Sequence, residues 1–362
     1  MRYIICFLFL VIISCKEESV VKKGAIESVE SVRVYEDSTS IRAIEVTKNE
    51  LVFAGSNGVH GYFKLSSPES IGYPQIALKN SGVIDFLDKK PAFRAIAITQ
   101  THVFMLSTDK PALLYKVDKA SQKIDLVYIE DVEGVFYNSM TFWNDKEGIA
   151  MGDPIDGCFS VIITRDGGNS WNKISCNSLP KATKGETAFA ASDTNIAIVG
   201  SHTWMITGGE KSNILYSPNK GNTWSLFKTP IVGGLETTGG YSVDFYDAEM
   251  GVIYGGNYKS PKDNIANIAF TTDGGKQWQL VGDGVNQGYK SCVQFVPNSN
   301  GNELIALGRS GISYSSDRGV SWKEISKEAY LSFRFLNDST AFASGNNKVD
   351  KLLFKRGKVP SL

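Results

Sequence analysis

The chain has 362 residues, with 38 Lys and Arg against 38 Asp and Glu and so no formal net charge. That balance argues against nucleic acid as the partner, because a phosphate backbone calls for a basic excess. Hydrophobic residues at 42% and charged residues at 21% lie far from the composition of disordered chains, and 35 Gly with 11 Pro suit many short strands and tight turns better than a helical bundle.

The chain begins with Arg2 and an apolar run from Tyr3 to Ile13, eleven residues long, against about 20 for a membrane-spanning helix. Ile12-Ile13-Ser14-Cys15 resembles a bacterial lipobox, in which the Cys is lipidated after cleavage. Lys16-Glu17-Glu18 follows at once and looks like the lipoprotein export signal of Bacteroidetes-type bacteria. The resemblance implies a signal peptide over 1–14, a lipid anchor at Cys15 with a tether to residue 30, and a protein held in the cell envelope, at the outer membrane and open to the surface. An ordinary signal peptide that happens to contain a Cys is the alternative. Beyond the anchor, Cys158, Cys176 and Cys292 stand in a compartment where disulfides persist.

Past the tether, Ser40-Ile-Arg-Ala-Ile44 and Ala92-Phe-Arg-Ala-Ile96 each open a strand-like run. Each is followed by a second strand ending in Gly or Ser, Leu51-Val-Phe-Ala-Gly55 and Val103-Phe-Met-Leu-Ser107. Four later segments then align without gaps: Thr164-Arg-Asp-Gly-Gly-Asn-Ser-Trp171, Ser217-Pro-Asn-Lys-Gly-Asn-Thr-Trp224, Thr271-Thr-Asp-Gly-Gly-Lys-Gln-Trp278 and Ser315-Ser-Asp-Arg-Gly-Val-Ser-Trp322. Each position has a physical reason. Asp or Asn caps a tight turn through its own backbone, Gly at the fifth position takes a positive φ, and Trp packs back under the turn. Apolar alternation on either side makes each copy the turn of a β-hairpin. The Trp residues recur at intervals of 53, 54 and 44, which suits a repeat of four strands.

These segments resemble the Asp-box, or BNR, repeat of sialidases, sortilin-type receptors and photosystem II assembly factors, all of them β-propellers with the box between the third and fourth strands of a blade. Asn138-Ser-Met-Thr-Phe-Trp143, Gly148-Ile-Ala-Met-Gly-Asp-Pro154 and Gly239-Gly-Tyr-Ser-Val-Asp-Phe245 look like bacterial propellers related to the photosystem II assembly factor, over nearly the whole chain. The resemblance implies a single all-β domain over 31–362, with seven four-stranded blades and the ring closed by an N-terminal strand at Val32 to Tyr35. Six or eight blades stay open, because the first 90 residues align poorly. Some relatives carry an oxidoreductase label, but no dinucleotide fingerprint, haem motif or metal-ligand cluster occurs here, so no cofactor and no metal is expected.

Two groups of residues are candidates for binding. Three segments read as long loops, 152–157, 200–212 and 255–263, bring Asp153, Asp156, His202, Trp204, Tyr258 and Lys259 to one sector, which suits a glycan or a peptide. Arg42, Arg94 and Arg334 each precede the apolar pair of a first strand, so three guanidiniums could gather at the channel mouth and hold a carboxylate or phosphate; pairing with acidic neighbours is the alternative. The photosystem II assembly factor holds a protein partner on an arginine-rich surface, and the resemblance extends to these positions. A sialidase-type glycan hydrolase would also need a Tyr beside a Glu and an acidic proton donor. Glu186, Tyr241, Asp153 and Asp156 are the right types, but no sialidase-like Arg-Ile-Pro accompanies Arg42 or Arg94.

Counting outward from Gly167 places Cys158 opposite Cys176 across a hairpin, within reach of a disulfide if the register holds, while Cys292 reads as a buried small hydrophobe. The expectation is a monomeric, lipid-anchored, non-catalytic binding or assembly module for an envelope protein or surface glycan. The alternatives are a sialidase-like hydrolase and a small-ligand receptor.

Overall fold

The computed structural model describes residues 23–66 and 75–358; the expected signal peptide over 1–14 and the expected lipid anchor at Cys15 lie outside them. Among the described residues are 28 strands and two short 3-10 turns. Second strands such as Leu304–Gly308 are buried along their whole length, because each sheet is covered on both faces by its neighbours. Outer strands such as Ile124–Glu130 are largely exposed. The core is a set of slabs between neighbouring sheets. Ala95, Phe104 and Leu114 of one sheet meet Met140, Ala150, Ile162 and Trp171 of the next.

The architecture is an all-β propeller, and the blade count is corrected from seven to six. The strands gather into six sheets, four of four strands and two of six. The reason lies in two long strands. Ile26–Thr47 runs for 22 residues and Thr340–Arg356 for 17, and together they weld into one sheet what the sequence pattern divides in two. Val32 to Tyr35 is therefore not a separate strand lent to a seventh blade. It lies within the continuous first strand, whose first half pairs with Thr340–Arg356 and whose second half pairs with Glu50–Gly55. The other six-stranded sheet gains two short strands, Glu186–Thr187 and Gly208–Gly209, beside Thr238–Phe245.

The four aligned segments form hairpin turns of one design. In the first, Thr164 Oγ1 accepts from the Gly168 N–H at 2.9 Å, while Asp166 Oδ1 accepts from the Asn169 and Ser170 N–H groups, both at 3.0 Å. The fifth-position glycines all have φ between 75° and 85°, and a Cβ on Gly168 would lie 2.2 Å from the Phe104 ring. The fourth position is also left-handed, even where it is Lys220 or Arg318. The indoles of Trp224, Trp278 and Trp322 donate back to the carbonyl of that fifth-position glycine.

Cys158 and Cys176 form a disulfide with Cα atoms 5.5 Å apart. The register behind that expectation was off by one, since Ile163 pairs with Asn172 rather than Trp171. The bond survives because the chain leaves the strand at Lys173 and turns back through the 3-10 turn Cys176–Ser178. Cys292 is buried and free.

Candidate functional site

The space enclosed by the innermost strands is filled by the segment Ala191–Asn195. Asp193 Oδ2 accepts from the Ile96 N–H at 2.7 Å and Oδ1 from the Met140 N–H at 3.0 Å. Ser192 Oγ donates to Ser291 O, Thr194 Oγ1 to Ser242 Oγ, and Ser332 Oγ to Ser192 O. One short segment thus ties together innermost strands from several sheets and closes the axis.

Arg334 belongs to this plug. Its Nε donates to Glu45 Oε1 at 2.6 Å, its Nη2 to Asp193 O at 2.9 Å and its Nη1 to Phe333 O at 3.0 Å. Burial opposes its charge, but Glu45, Cys292 and Asp193 more than offset this and hold the guanidinium above its ordinary pKa. It is neutralised and structural, so the expected three-arginine cluster is corrected to two of its members.

Arg42 and Arg94 occupy a different backbone device. In four innermost strands the ladder skips one residue opposite the end of the second strand, and the residues skipped are Arg42, Arg94, Asn138 and Tyr241. A bulge of this kind re-aims one side chain. In three of the four the residue opposite is glycine, because the bulged backbone passes too close for anything larger. A Cβ would lie 2.8 Å from Ser40 O at Gly55, 2.5 Å from Phe136 O at Gly152 and 1.9 Å from Gly239 O at Gly255. Asn138 Nδ2 and Arg94 Nη1 donate to the carbonyls of Ala188 and Ala190, holding the segment that enters the plug. Arg42 and Tyr241 instead line a cavity above it.

The cavity measures about 430 Å³. Phe189 and Tyr241 stack at 3.9 Å with planes 3° apart, and Tyr289 meets Tyr241 edge-on at 4.8 Å. Tyr258, half exposed, and Arg309 complete the rim, and no Asp or Glu lines the cavity. The Tyr241 hydroxyl donates to Thr237 O. Arg42 has no hydrogen-bond or ion-pair partner among the described residues, and its Nε is buried without one. Burial, then Arg94, then Arg309 push it down to about 10. A partly buried guanidinium facing like charges is unfavourable unless an anion joins it, so the cavity is poised for a carboxylate or another oxyanion beside aromatic faces.

The long-loop sector dissolves. His202–Ile206 is a strand, Trp204 is fully buried, stacks on Phe245 at 3.6 Å and donates to Gly274 O, and His202 bonds the Tyr216 hydroxyl at 2.7 Å on the turn side of the blade. Asp153 accepts from the Ala188 N–H, and burial raises its pKa. Asp156 sits exposed in a left-handed turn, and Lys259 pairs with Glu236 at the surface. Only Tyr258 of this group lines the cavity. Glu186 is spent on Thr207 and Asn213, away from Tyr241. Sequence reasoning missed Phe189, Tyr289 and Arg309 as site residues and offered Tyr241 only as a possible hydrolase residue. The usable signal was the glycine that ends a second strand, which marks the bulge and hence the residue aimed at the axis.

Fold and site together define an all-β propeller with a closed axis and an aromatic, cationic pocket over it. No family model matches the chain, and no curated protein matches it. Among solved structures it is similar to one titled "YCF48 bound to D1 peptide", with a TM-score of 0.60 and 10% identity, over 91% of this chain and 98% of that one. It is also similar to YCF48 from Cyanidioschyzon merolae, with a TM-score of 0.59 and 12% identity, over 90% of this chain and 98% of that one. YCF48 is a photosystem II assembly factor, and at these identities the likeness is one of fold.

Proposed function

We propose that this chain is a non-catalytic binding module that takes up a peptide segment of a partner protein in the pocket over the axis. The observation that carries the reading is Arg42, lodged among aromatic rings and other guanidiniums with no counter-ion in a cavity that no carboxylate lines. A ligand's carboxylate would supply the missing charge, and the Phe189–Tyr241 stack would hold apolar groups beside it. YCF48, of similar fold, is described as bound to a D1 peptide, which favours a protein ligand over a glycan. The lipobox-like Ile12-Ile13-Ser14-Cys15 supports a lipid anchor at Cys15, so the partner would belong to the cell envelope.

The test is retention of the purified chain on an array of random octapeptides, set against an array of acidic glycans. The reading expects peptide binding that Arg42→Glu abolishes while the melting temperature holds. Binding to uronate or sialylated glycans with no peptide retained would overturn it. Metabolic labelling with palmitate, lost in Cys15→Ala, tests the anchor separately.

A further inference from the structure

We propose that the pocket seats the last residue of its partner chain, with the free C-terminal carboxylate between Arg42 and Arg309 and the final side chain on the Phe189–Tyr241 face. The proposal rests on the peptide-binding reading and narrows it from any segment to a chain end.

The first argument is shape. The pocket is closed at its floor. Ala190, Ala191, Ser291 and Leu331 form part of its lining, and directly below them Ser192 Oγ bonds Ser291 O, Ser291 Oγ bonds Leu331 O and Ser332 Oγ bonds Ser192 O. A strand of a partner that entered would have to leave again by the same mouth. A cavity of about 430 Å³ lies toward the small end of ligand pockets, suited to one or two side chains rather than a doubled-back segment.

The second argument is charge. A third cation stands behind the pocket wall. Lys290 is fully buried, and its Nζ donates to Ser310 Oγ at 3.2 Å and Gly311 O at 3.0 Å, with no carboxylate in bonding contact. Burial lowers it to about 8. Arg42 and Arg309 thus stand on the lining with Lys290 behind it; no carboxylate lines the cavity, and Glu324 acts on Lys290 only through space. A chain's N-terminus would add a fourth positive charge, whereas its C-terminus brings the one negative charge the backbone always carries. Arg42 lines the cavity and its buried Nε has no partner, so the hydrogen-bonding capacity of its guanidinium is unspent by the fold.

The third argument is the aromatic wall. The stacked Phe189 and Tyr241 rings, with Tyr289 edge-on and close to Arg42 and Arg309, give the same lining an apolar face next to its cations. That places an apolar side chain and a carboxylate in neighbouring subsites, the arrangement of a terminal residue in which both hang from one Cα.

The experiment uses the full chain and two immobilised octapeptide libraries of identical sequence, one ending in free carboxylates and the other in carboxamides. The proposal expects at least tenfold higher retention on the free-acid library, enrichment of Leu, Phe, Tyr or Trp at the last position, and competition by N-acetyl-L-phenylalaninate but not by N-acetyl-L-phenylalanine amide. Arg42→Gln and Arg309→Gln should each remove the preference for the free acid. Tyr258→Ala should weaken both ligand forms in step. Equal binding to the two libraries, or selection of internal Asp or Glu in the amidated one, overturns the chain-end proposal and leaves the peptide module standing. Retention on neither library overturns both.

Discussion

Arg42 and Arg334 come from the same sequence pattern, an arginine just before an apolar pair of an innermost strand, and end in opposite states. Arg334 follows a regular ladder, reaches the axis and meets Glu45 and the plug carbonyl of Asp193. Arg42 sits in a bulge that turns it out of the ladder toward the pocket, where aromatic rings and other cations face it and no carboxylate does. The two positions differ by backbone register, not by residue type. A neutralised arginine is part of the fold's stability, and an unneutralised one, on the reading proposed above, is left to meet a ligand's anion.

The sharpest way to break this comparison is to attack the plug that only Arg334 shares. Asp193→Ala leaves the Ile96 and Met140 N–H groups buried without acceptors. The expected loss is about 3 kcal/mol or more in urea unfolding, since each orphaned donor costs about 1–3 kcal/mol. A loss under about 1 kcal/mol would show that the plug is not what closes the axis. Next in size is Cys158→Ser with Cys176→Ser, which opens a link across 18 residues. About 3 kcal/mol is expected for a loop of that length, read as a lower melting temperature with peptide binding kept, because the bond lies away from the pocket lining.

A smaller effect is expected from the turns, and it has a pH signature. At Asp166 the effect of burial is outweighed by the Ser170 hydroxyl and amide, Thr164 and the Asn169 amide, which bring it down to about 2; Asp273 and Asp317 are lowered in the same way. A folded-state pKa below the unfolded value near 4 means stability that is complete above about pH 4 and drains away as the pH falls toward 2. The second turn carries Asn219 instead and has no carboxylate to titrate there. Converting Asp166, Asp273 and Asp317 to Asn should therefore flatten the melting-temperature profile between pH 4 and 2, and an unchanged slope would assign acid sensitivity elsewhere.

How much of this was legible depends on how local the signal is. The turns were readable because Asp, Gly and Trp at fixed spacing satisfy one another within eight residues, as at Thr164 to Trp171. Six sheets rather than seven blades were not, because nothing in Ile26–Thr47 or Thr340–Arg356 marks them as unbroken strands. Trp204 looked like a binding residue because Gly200-Ser201 was read as the start of a long loop, when it is the tight turn into a strand that buries the indole against Phe245. Arg42 was legible from its place before a first-strand apolar pair and Tyr258 from its place in a loop between strands. Tyr241 and Tyr289 needed the bulge and the neighbouring strand, since their proximity is set by packing between sheets.

The most direct measurement is equilibrium urea unfolding of Arg42→Gln beside Arg334→Gln. The account predicts that Arg334→Gln loses about 3–5 kcal/mol, because the part-buried Glu45 loses its cation and the buried Asp193 carbonyl loses its donor. It predicts that Arg42→Gln is unchanged or gains up to about 1 kcal/mol, as removal of a binding-site charge often does. Comparable losses in the two variants would contradict the claim that one arginine is neutralised by the fold and the other is held for a ligand.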